Sequence, residues 1–236
     1  MQTNVRVKGN FSTLYAESYS HTPSLLAMSN FFYLQSVGHF RAHKDYLMRR
    51  EGYQSFLVLY TVSGKGYLYY RGKRYELTCG DVFFIDCLDF QEYYTDQSEL
   101  WELKWFHFNG LNSAGYFKLI YERLGPVIRI GRESRLPLFI DELMMLLKSR
   151  ERQLEIKASC IIMQILTELL LVESEKTKGE SRTVYYKHDQ QIEAVIDFIR
   201  NNFQKEINLS DLAAAACSSK YHLIRTFHAC SVKDFF

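Results

Sequence analysis

The middle of the chain alternates short apolar runs with polar turns, which is the pattern of β-strands. Phe56-Leu-Val-Leu-Tyr-Thr-Val62 is mostly aromatic, aliphatic and β-branched, so it predicts a buried strand. Tyr67 to Leu77 predicts a hairpin that turns at Arg71-Gly-Lys73. Further strands are predicted over 82–85, through Tyr93 and Tyr94, and over 101–108. Short strands with regular glycine turns favour a closed or double-sheet antiparallel fold for residues 31–132.

The segments on either side of this region have other patterns. Residues 1–30 are weakly patterned and are predicted to form an irregular N-terminal arm. Leu136–Leu147 and Ile156–Val172 carry apolar residues at helical spacing, which predicts a pair of helices within 133–174. The second helix is too apolar to face solvent, so it packs on the β domain as a lid or forms a dimer seam. The charged, hydroxyl-rich stretch at 175–188 is interpreted as a linker.

Residues 189–236 predict three short amphipathic helices, at Gln191–Phe203, Ile207–Ala213 and Ser219–Phe227. Ser210 stands where an N-cap is expected, and Ser219 opens the last helix after a tight turn of small residues. This spacing is typical of a helix-turn-helix, in which one helix contacts the phosphate backbone and the next lies in the major groove. We interpret the segment as an incomplete domain of this kind.

Composition limits the classes of protein that fit. The chain has 236 residues, of which 47% are hydrophobic, so it is long enough for about two domains. A net charge of +2 argues neither for nor against nucleic acid, since local placement of charge decides. Five cysteines without a C-x-x-C pair indicate reduced thiols rather than a disulfide framework or a zinc site. With neither a signal-like segment nor a membrane-length apolar run, we expect a cytoplasmic protein without a membrane partner.

Catalytic chemistry is not indicated. Metal-binding β-barrels of the enzymatic kind need clustered histidines, but the predicted strands over 67–75 and 85–94 contain none. His39, His43 and His107 are scattered, so we expect no metal, no cofactor and no enzyme activity. A small-molecule site is a stronger hypothesis. Strand alternation places Trp101, Leu103, Trp105 and His107 on one face, where aromatic rings and polar groups could meet a ligand.

The order of these parts resembles a known family, the AraC-type transcription regulators that have an N-terminal cupin-like, sugar-sensing barrel. The resemblance is carried in the family's order by five segments: Tyr60–Tyr67, Leu77–Asp86, Trp101–Gly110, Leu209–Ala213 and Ser219–Phe227. It implies an α+β fold, with an antiparallel β jelly roll followed by a helical dimerisation pair and an all-α helix-turn-helix domain. The family has two helix-turn-helix units, and this chain ends at Phe236, before the second.

The resemblance also implies site residues. It implies that the strand face carrying Trp105 looks into the barrel, and that Arg49 and Tyr93 match ligand-contacting positions of the family. The expected effector site is therefore Arg49, Tyr93, Trp105 and His107. The alternative is that the rings only fill the core. Cys87 and Gln91 stand where relatives commonly have Pro and His, which bears on one sugar contact.

On the last helix, the resemblance implies that Leu223 and Phe227 face the core. The expected DNA-binding residues are Ser219, Lys220, Tyr221, His222 and Arg225. The alternative is that these are the polar face of a small helical bundle, because acidic and basic residues are equal in number after Gln190.

The sequence therefore predicts a ligand-responsive transcription regulator. Its partners would be double-stranded DNA, a small-molecule effector that is most simply a sugar, and a second copy in a homodimer. Two other functions stay open: a metal-dependent cupin enzyme, and a truncated dimerising partner that does not bind DNA.

Overall fold

The computed structural model describes residues 6–149, 151, 153–172 and 182–231. They form two compact units, divided between Val172 and Glu173. Residues 1–5 of the predicted arm, 175–181 of the predicted linker and 232–236 of the predicted DNA-binding segment lie outside the described residues. No helix in the described ranges is both long and apolar enough to cross a membrane.

The first unit contains two antiparallel sheets. The five-stranded sheet has the order β1-β4-β9-β6-β7 and consists of β1 (Arg6–Asn10), β4 (Leu47–Glu51), β9 (Gln91–Thr95), β6 (Lys65–Tyr70) and β7 (Lys73–Thr78). The six-stranded sheet has the order β11-β8-β5-β10-β3-β2 and consists of β11 (Val127–Arg129), β8 (Asp81–Asp86), β5 (Phe56–Ser63), β10 (Glu102–Asn109), β3 (Tyr33–Ala42) and β2 (Thr13–Ser20). The predicted cupin-like, antiparallel double-sheet fold is confirmed.

Local sequence explains the turn between β6 and β7. Arg71 and Gly72 both have positive φ, at 48° and 77°, which is the backbone of a two-residue type I′ hairpin turn. Glycine adopts this conformation at no steric cost. The hairpin predicted at Arg71-Gly-Lys73 is therefore confirmed.

Strand β10 lies at the centre of the six-stranded sheet, paired with β3 on one side and β5 on the other. Its two faces serve two cores. Leu103 packs between the sheets, together with Trp101 just before the strand. Phe106 and Phe108 are fully buried on the opposite face, against the helices. The predicted division of residues between the faces is confirmed.

Helices cover the outer face of the six-stranded sheet. They are α2 (Ser113–Leu124), α3 (Leu136–Ser149) and α4 (Leu154–Leu171), preceded in the chain by the short α1 (Leu25–Asn30). Ile162, Ile165 and Leu166 of α4 are fully buried in the cluster that includes Phe106 and Phe108. The apolar stripe of α4 therefore packs on the sheet, which confirms the lid alternative. A dimer interface on α4 would have to use its outer face, which does not contact the sheet.

The prediction of an irregular lead-in at 1–30 was wrong for its described part. Residues 6–30 form β1, β2 and α1, and β2 extends the six-stranded sheet at its edge. Most residues of β2 are exposed or half-buried, so the strand lacks the apolar alternation that marks a buried strand.

The second unit consists of α5 (Arg182–Asn202), α6 (Leu209–Ala215) and α7 (Lys220–Ser231). The three predicted helices are present, but α5 begins at Arg182, so residues 182–188 are helix rather than linker. The N-cap of α6 is Asn208 and not Ser210. The resemblance placed Phe227 in the core, yet 37% of its surface is exposed and Thr226 is buried instead.

Candidate functional site: a cavity between the sheets

A cavity of about 380 Å³ lies between the two sheets of the first unit. Its walls come from β2, β3 and β10 of one sheet, from β4 and β9 of the other, and from the adjoining loops. The lining residues are Ser20, Ser36, Phe40, Tyr46, Met48, Arg50, Tyr53, Tyr93, Trp105 and His107. The volume falls in the range of about 300–1,000 Å³ that is usual for small-molecule sites.

Three of the four residues predicted for the effector site line this cavity: Tyr93, Trp105 and His107. Arg49 does not. Its side chain is half exposed and forms an ion pair with Glu92. Successive side chains of a strand point to opposite faces, so Met48 and Arg50 of β4 face the cavity and Arg49 faces away. The prediction that Arg49 lies in the cavity was therefore wrong by one residue, and the arginine that lines the cavity is Arg50.

The indole ring of Trp105 packs against the backbone of β3 at Gly38. A Cβ atom on Gly38 would stand 2.7 Å from the indole ring, so only glycine at this position permits the ring's placement. Phe40 meets the indole edge-on, with ring centroids 5.3 Å apart. The indole Nε1 is buried and has no hydrogen-bond partner among the described residues. Trp105 therefore presents both an apolar face and an unsatisfied donor in the wall.

His107 is held from both sides of its ring. Arg50 Nη1 lies 2.9 Å from Nε2, and Ser55 Oγ lies 3.0 Å from Nδ1. Because a guanidinium can only donate, Nε2 must accept, so we assign the proton to Nδ1, which donates to Ser55. Burial, and then the positive charge of Arg50, hold the pKa of His107 well below its usual value. The imidazole is therefore neutral.

Arg50 is positioned by its neighbours without a countercharge. Its guanidinium lies over the ring of Tyr53, 4.8 Å from the centroid. Its Nε is buried and has no partner, and within the described residues no carboxylate lies within 4.0 Å of it. The side chain is thus oriented by a neutral histidine and an aromatic ring.

Two tyrosines complete the wall. Tyr46 and Tyr93 are buried, with ring centroids 6.4 Å apart. Burial raises the pKa of both hydroxyls, so both stay protonated and can donate or accept hydrogen bonds. The sequence did not point to Tyr46, Tyr53 or Ser36, because turn residues and a lone serine carry no recognisable spacing.

The described residues contain no group of three or more His, Cys, Asp or Glu side chains that could hold a metal ion. Two of the scattered histidines form separate pairs instead, His39 with Glu102 and His43 with Asp45. Neither histidine lines the cavity.

Comparison with known proteins now identifies the domain. The family described as AraC-like ligand binding domain matches residues 33–166, more than half of the chain. The chain belongs to this family. The matched range begins with β3 and ends within α4, so it includes most of the cavity wall and the helices that cover the six-stranded sheet.

The relatives of this AraC-like protein include two operon regulators. It is 26% identical over 188 residues to the lactose operon transcription activator of Staphylococcus xylosus, covering 78% of this chain and 66% of that protein. It is 24% identical over 213 residues to the MmsAB operon regulatory protein of Pseudomonas aeruginosa, covering 86% and 64%. The chain thus spans slightly less than two thirds of the length of these curated relatives.

Solved structures with similarity to the AraC-like chain include the AraC-like transcriptional activator CuxR. It has 13% sequence identity and a TM-score of 0.33, with 82% of this chain and 70% of that chain covered. A cupin superfamily protein from Desulfitobacterium hafniense has 12% identity and a TM-score of 0.30, with 40% and 78% covered.

In the second unit, the five residues predicted to bind DNA are all exposed: Ser219, Lys220, Tyr221, His222 and Arg225. Ser219 caps α7, since its Oγ accepts from the His222 N–H at 3.2 Å. Leu223 is 2% exposed, as expected for the residue that seats this helix. The exposed side of α7 therefore carries these five residues together with the apolar Ile224 and Phe227.

Proposed function

We propose that this chain is the sensing part, with a DNA-reading element, of a transcription regulator whose effector binds between the sheets. The observation that carries the proposal is the cavity, which combines ring faces with hydrogen-bonding groups in the matched AraC-like domain. The names of the two relatives, an operon activator and an operon regulatory protein, support the regulatory role.

The effector that suits this wall best is a sugar. Aromatic faces stack against the C–H faces of a sugar ring, and a few placed polar groups bond its hydroxyls. Trp105 and Tyr93 supply the rings, and His107 and Arg50 supply polar groups. One relative is named for the lactose operon, which agrees with a sugar effector.

The element proposed to read DNA is α7. Lys220 and Arg225 are suited to phosphate or guanine contacts, and Tyr221 and His222 to groove contacts. Their exposure on one helix, with Leu223 seated in the core, is the arrangement that a recognition helix needs.

The proposed assembly is a homodimer through the outer face of α3 and α4. Leu138 and Met145 lie seven residues apart on α3 and are 59% and 62% exposed. Ile156 and Met163, equally spaced on α4, are 59% and 38% exposed. A dimer would present two copies of α7 to paired half-sites. The effector can shift the dimer between arrangements only by its difference in affinity for them.

The test is thermal unfolding of this chain against a panel of mono- and oligosaccharides, with and without a chelator. A ligand that binds only the folded state raises the unfolding temperature as its concentration exceeds the Kd. We expect one sugar or a related group of sugars to do so, irrespective of chelator. Trp105→Leu should abolish the shift, whereas the control Phe90→Leu, at an exposed ring outside the cavity, should retain it.

Two results would contradict the proposal. One is the absence of a shift with any sugar, together with stability that falls when chelator is added, which would favour the metal-dependent cupin enzyme. The other is an equal shift in wild type and Trp105→Leu, which would locate the sugar elsewhere.

A further inference from the structure

The cavity wall carries one formal charge, and it is positive. Of the ten lining residues only Arg50 is ionised, since His107 is held neutral by burial and by Arg50 itself. The other polar groups of the wall are hydroxyls and an indole N–H, which have no charge. Arg50 is therefore the one formal charge among the residues that line the cavity.

This arginine differs from others in the same unit. Arg49 pairs with Glu92, and Arg71 pairs with Asp89. Within the described ranges, Arg50 has no carboxylate within 4.0 Å, although it is less exposed than either of them. Its Nε is shielded from solvent and unsatisfied. Shielding a guanidinium without a countercharge is unfavourable, and the Tyr53 ring offsets only part of that cost.

The protein nevertheless holds this charge in a fixed orientation. The bond from Arg50 Nη1 to His107 Nε2 fixes one end of the guanidinium, and His107 is itself anchored through Ser55. The remaining donors are not used by the described chain. A guanidinium held in this way fits an anionic oxygen group, to which it makes short, charge-assisted hydrogen bonds.

We propose that the effector carries an anionic group, a carboxylate or a phosphate, that pairs with Arg50. The effector class is then an acidic or phosphorylated sugar rather than a neutral one, with the sugar body against Trp105 and Tyr93. This inference rests on the proposed sensing function and narrows its ligand.

The experiment compares sugars that share one ring and differ at carbon 6, where the substituent is either neutral or anionic. D-glucose, D-glucuronate and D-glucose 6-phosphate form one series, and the corresponding galactose compounds form a second. Each is titrated into wild type, Arg50→Met and the control Arg49→Met, and the Kd follows from the shift in unfolding temperature. Arg49 is the matched control, because it is the adjacent arginine on β4 and faces away from the cavity.

We expect a charged member of a series to bind wild type at least about tenfold more tightly than its neutral parent. Arg50→Met should weaken the charged ligand by roughly ten- to a hundredfold, and Arg49→Met should leave it unchanged. Arg50→Met also removes the donor to His107 Nε2, so the unfolding temperature of each variant without ligand serves as the reference for its own shifts. The carboxylate and phosphate members distinguish the two sources of charge.

Three outcomes overturn the inference. A shift with neutral sugars alone keeps the sensor and excludes the anionic effector. Equal binding of a charged sugar to wild type and Arg50→Met also excludes pairing at Arg50. No shift with any member of either series contradicts the inference and the sugar-sensing function together.

Discussion

His107 connects the charged wall of the cavity to the backbone of the six-stranded sheet. It receives a hydrogen bond from Arg50 and donates one to Ser55, whose hydroxyl lies 3.4 Å from the carbonyl oxygen of Phe108. In this chain of hydrogen bonds, Nε2 of His107 must accept because Arg50 can only donate. A second proton on the imidazole would sit on Nε2 and point at the guanidinium, so these hydrogen bonds require a neutral His107.

Acid should therefore destabilise the first unit through His107. Its pKa lies well below 6.5 in the folded protein, because of burial and Arg50. As the pH falls below about 6.5 the unfolded chain gains a proton that the folded protein excludes, so stability present above that pH is lost. The slope is at most about 1.4 kcal/mol per pH unit. Urea unfolding between about pH 5 and 7.5 measures it.

His107→Gln should flatten this slope, whereas His43→Asn, at a histidine paired with Asp45 outside the cavity, should retain it. If the glutamine variant does not fold, the ring resonances of His107 in wild type serve instead. An imidazole that titrates near pH 6.5 in the folded protein would refute the assignment.

The side chains that face the cavity were predictable from sequence where a strand has a clear period. Trp105 and His107 line the cavity, as the regular alternation of β10 between its two faces predicts. Sequence alone does not distinguish Arg49 from Arg50, because the two side chains are chemically identical. The register of β4 against β9 decides which of them faces the cavity. Tyr46 and Tyr53 come from turns, whose course depends on tertiary contacts.

At the scale of elements, α6 is fixed by a reciprocal cap. Asn208 Oδ1 accepts from the backbone N–H groups of Ser210 and Asp211, at 2.8 and 3.2 Å. Asp211 in turn accepts from the Asn208 N–H at 3.0 Å. This capping box satisfies donors that a helix start leaves unpaired.

Asn208→Ala should accordingly destabilise α6 by about 1 kcal/mol. Hydrogen exchange of the backbone amides over residues 209–215 should then be about fivefold faster than in wild type. Ser210→Ala is the matched control, since Ser210 lies inside the helix rather than at its cap. Equal acceleration in the two variants would contradict the assignment of Asn208 as the cap.

Sequence predicted most of the elements and missed those whose cause is not local. The hairpin at Arg71-Gly-Lys73 and the buried strand at Phe56 follow from turn chemistry and β-branched residues. The edge strand β2 was missed, since its mainly exposed residues are held by backbone pairing with β3, which the pattern of apolar residues does not reveal. The first residues of α5 were read as linker from their polar composition, which does not exclude an exposed helix.

For the whole molecule, the helical layer has two surfaces with different roles. The inner surface of α3 and α4 is buried against the six-stranded sheet. The outer surface keeps apolar side chains in solvent, at a spacing of seven residues on each helix. Exposed apolar residues at such regular spacing are typical of surfaces that bind another protein.

Charged substitutions on this outer surface should separate the proposed dimer. We expect Met145→Glu combined with Ile156→Glu to sediment as a monomer, and Leu111→Glu, at an exposed loop position, to sediment as wild type. The double variant should also bind more weakly than wild type to DNA duplexes selected from a random library, because a dimer contacts two half-sites at once and gains avidity.

Arg225→Ala separates dimerisation from DNA binding, since this variant should still form the dimer but should no longer bind DNA. A wild-type chain that sediments as a monomer would contradict the proposed interface. A dimer that selects no DNA would favour the dimerising partner without DNA binding.

The central position of β10 has a consequence for how the protein is made. A ribosome produces β2, β3, β5 and β8 first, yet β3 and β5 meet only through β10, which ends at Asn109. Before that residue emerges, the two halves of the six-stranded sheet remain unjoined, and Trp105 and His107 are still missing from the wall. The cavity therefore gains its β10 wall in one step, before half of the chain has been made, when a single strand inserts between two existing strand edges.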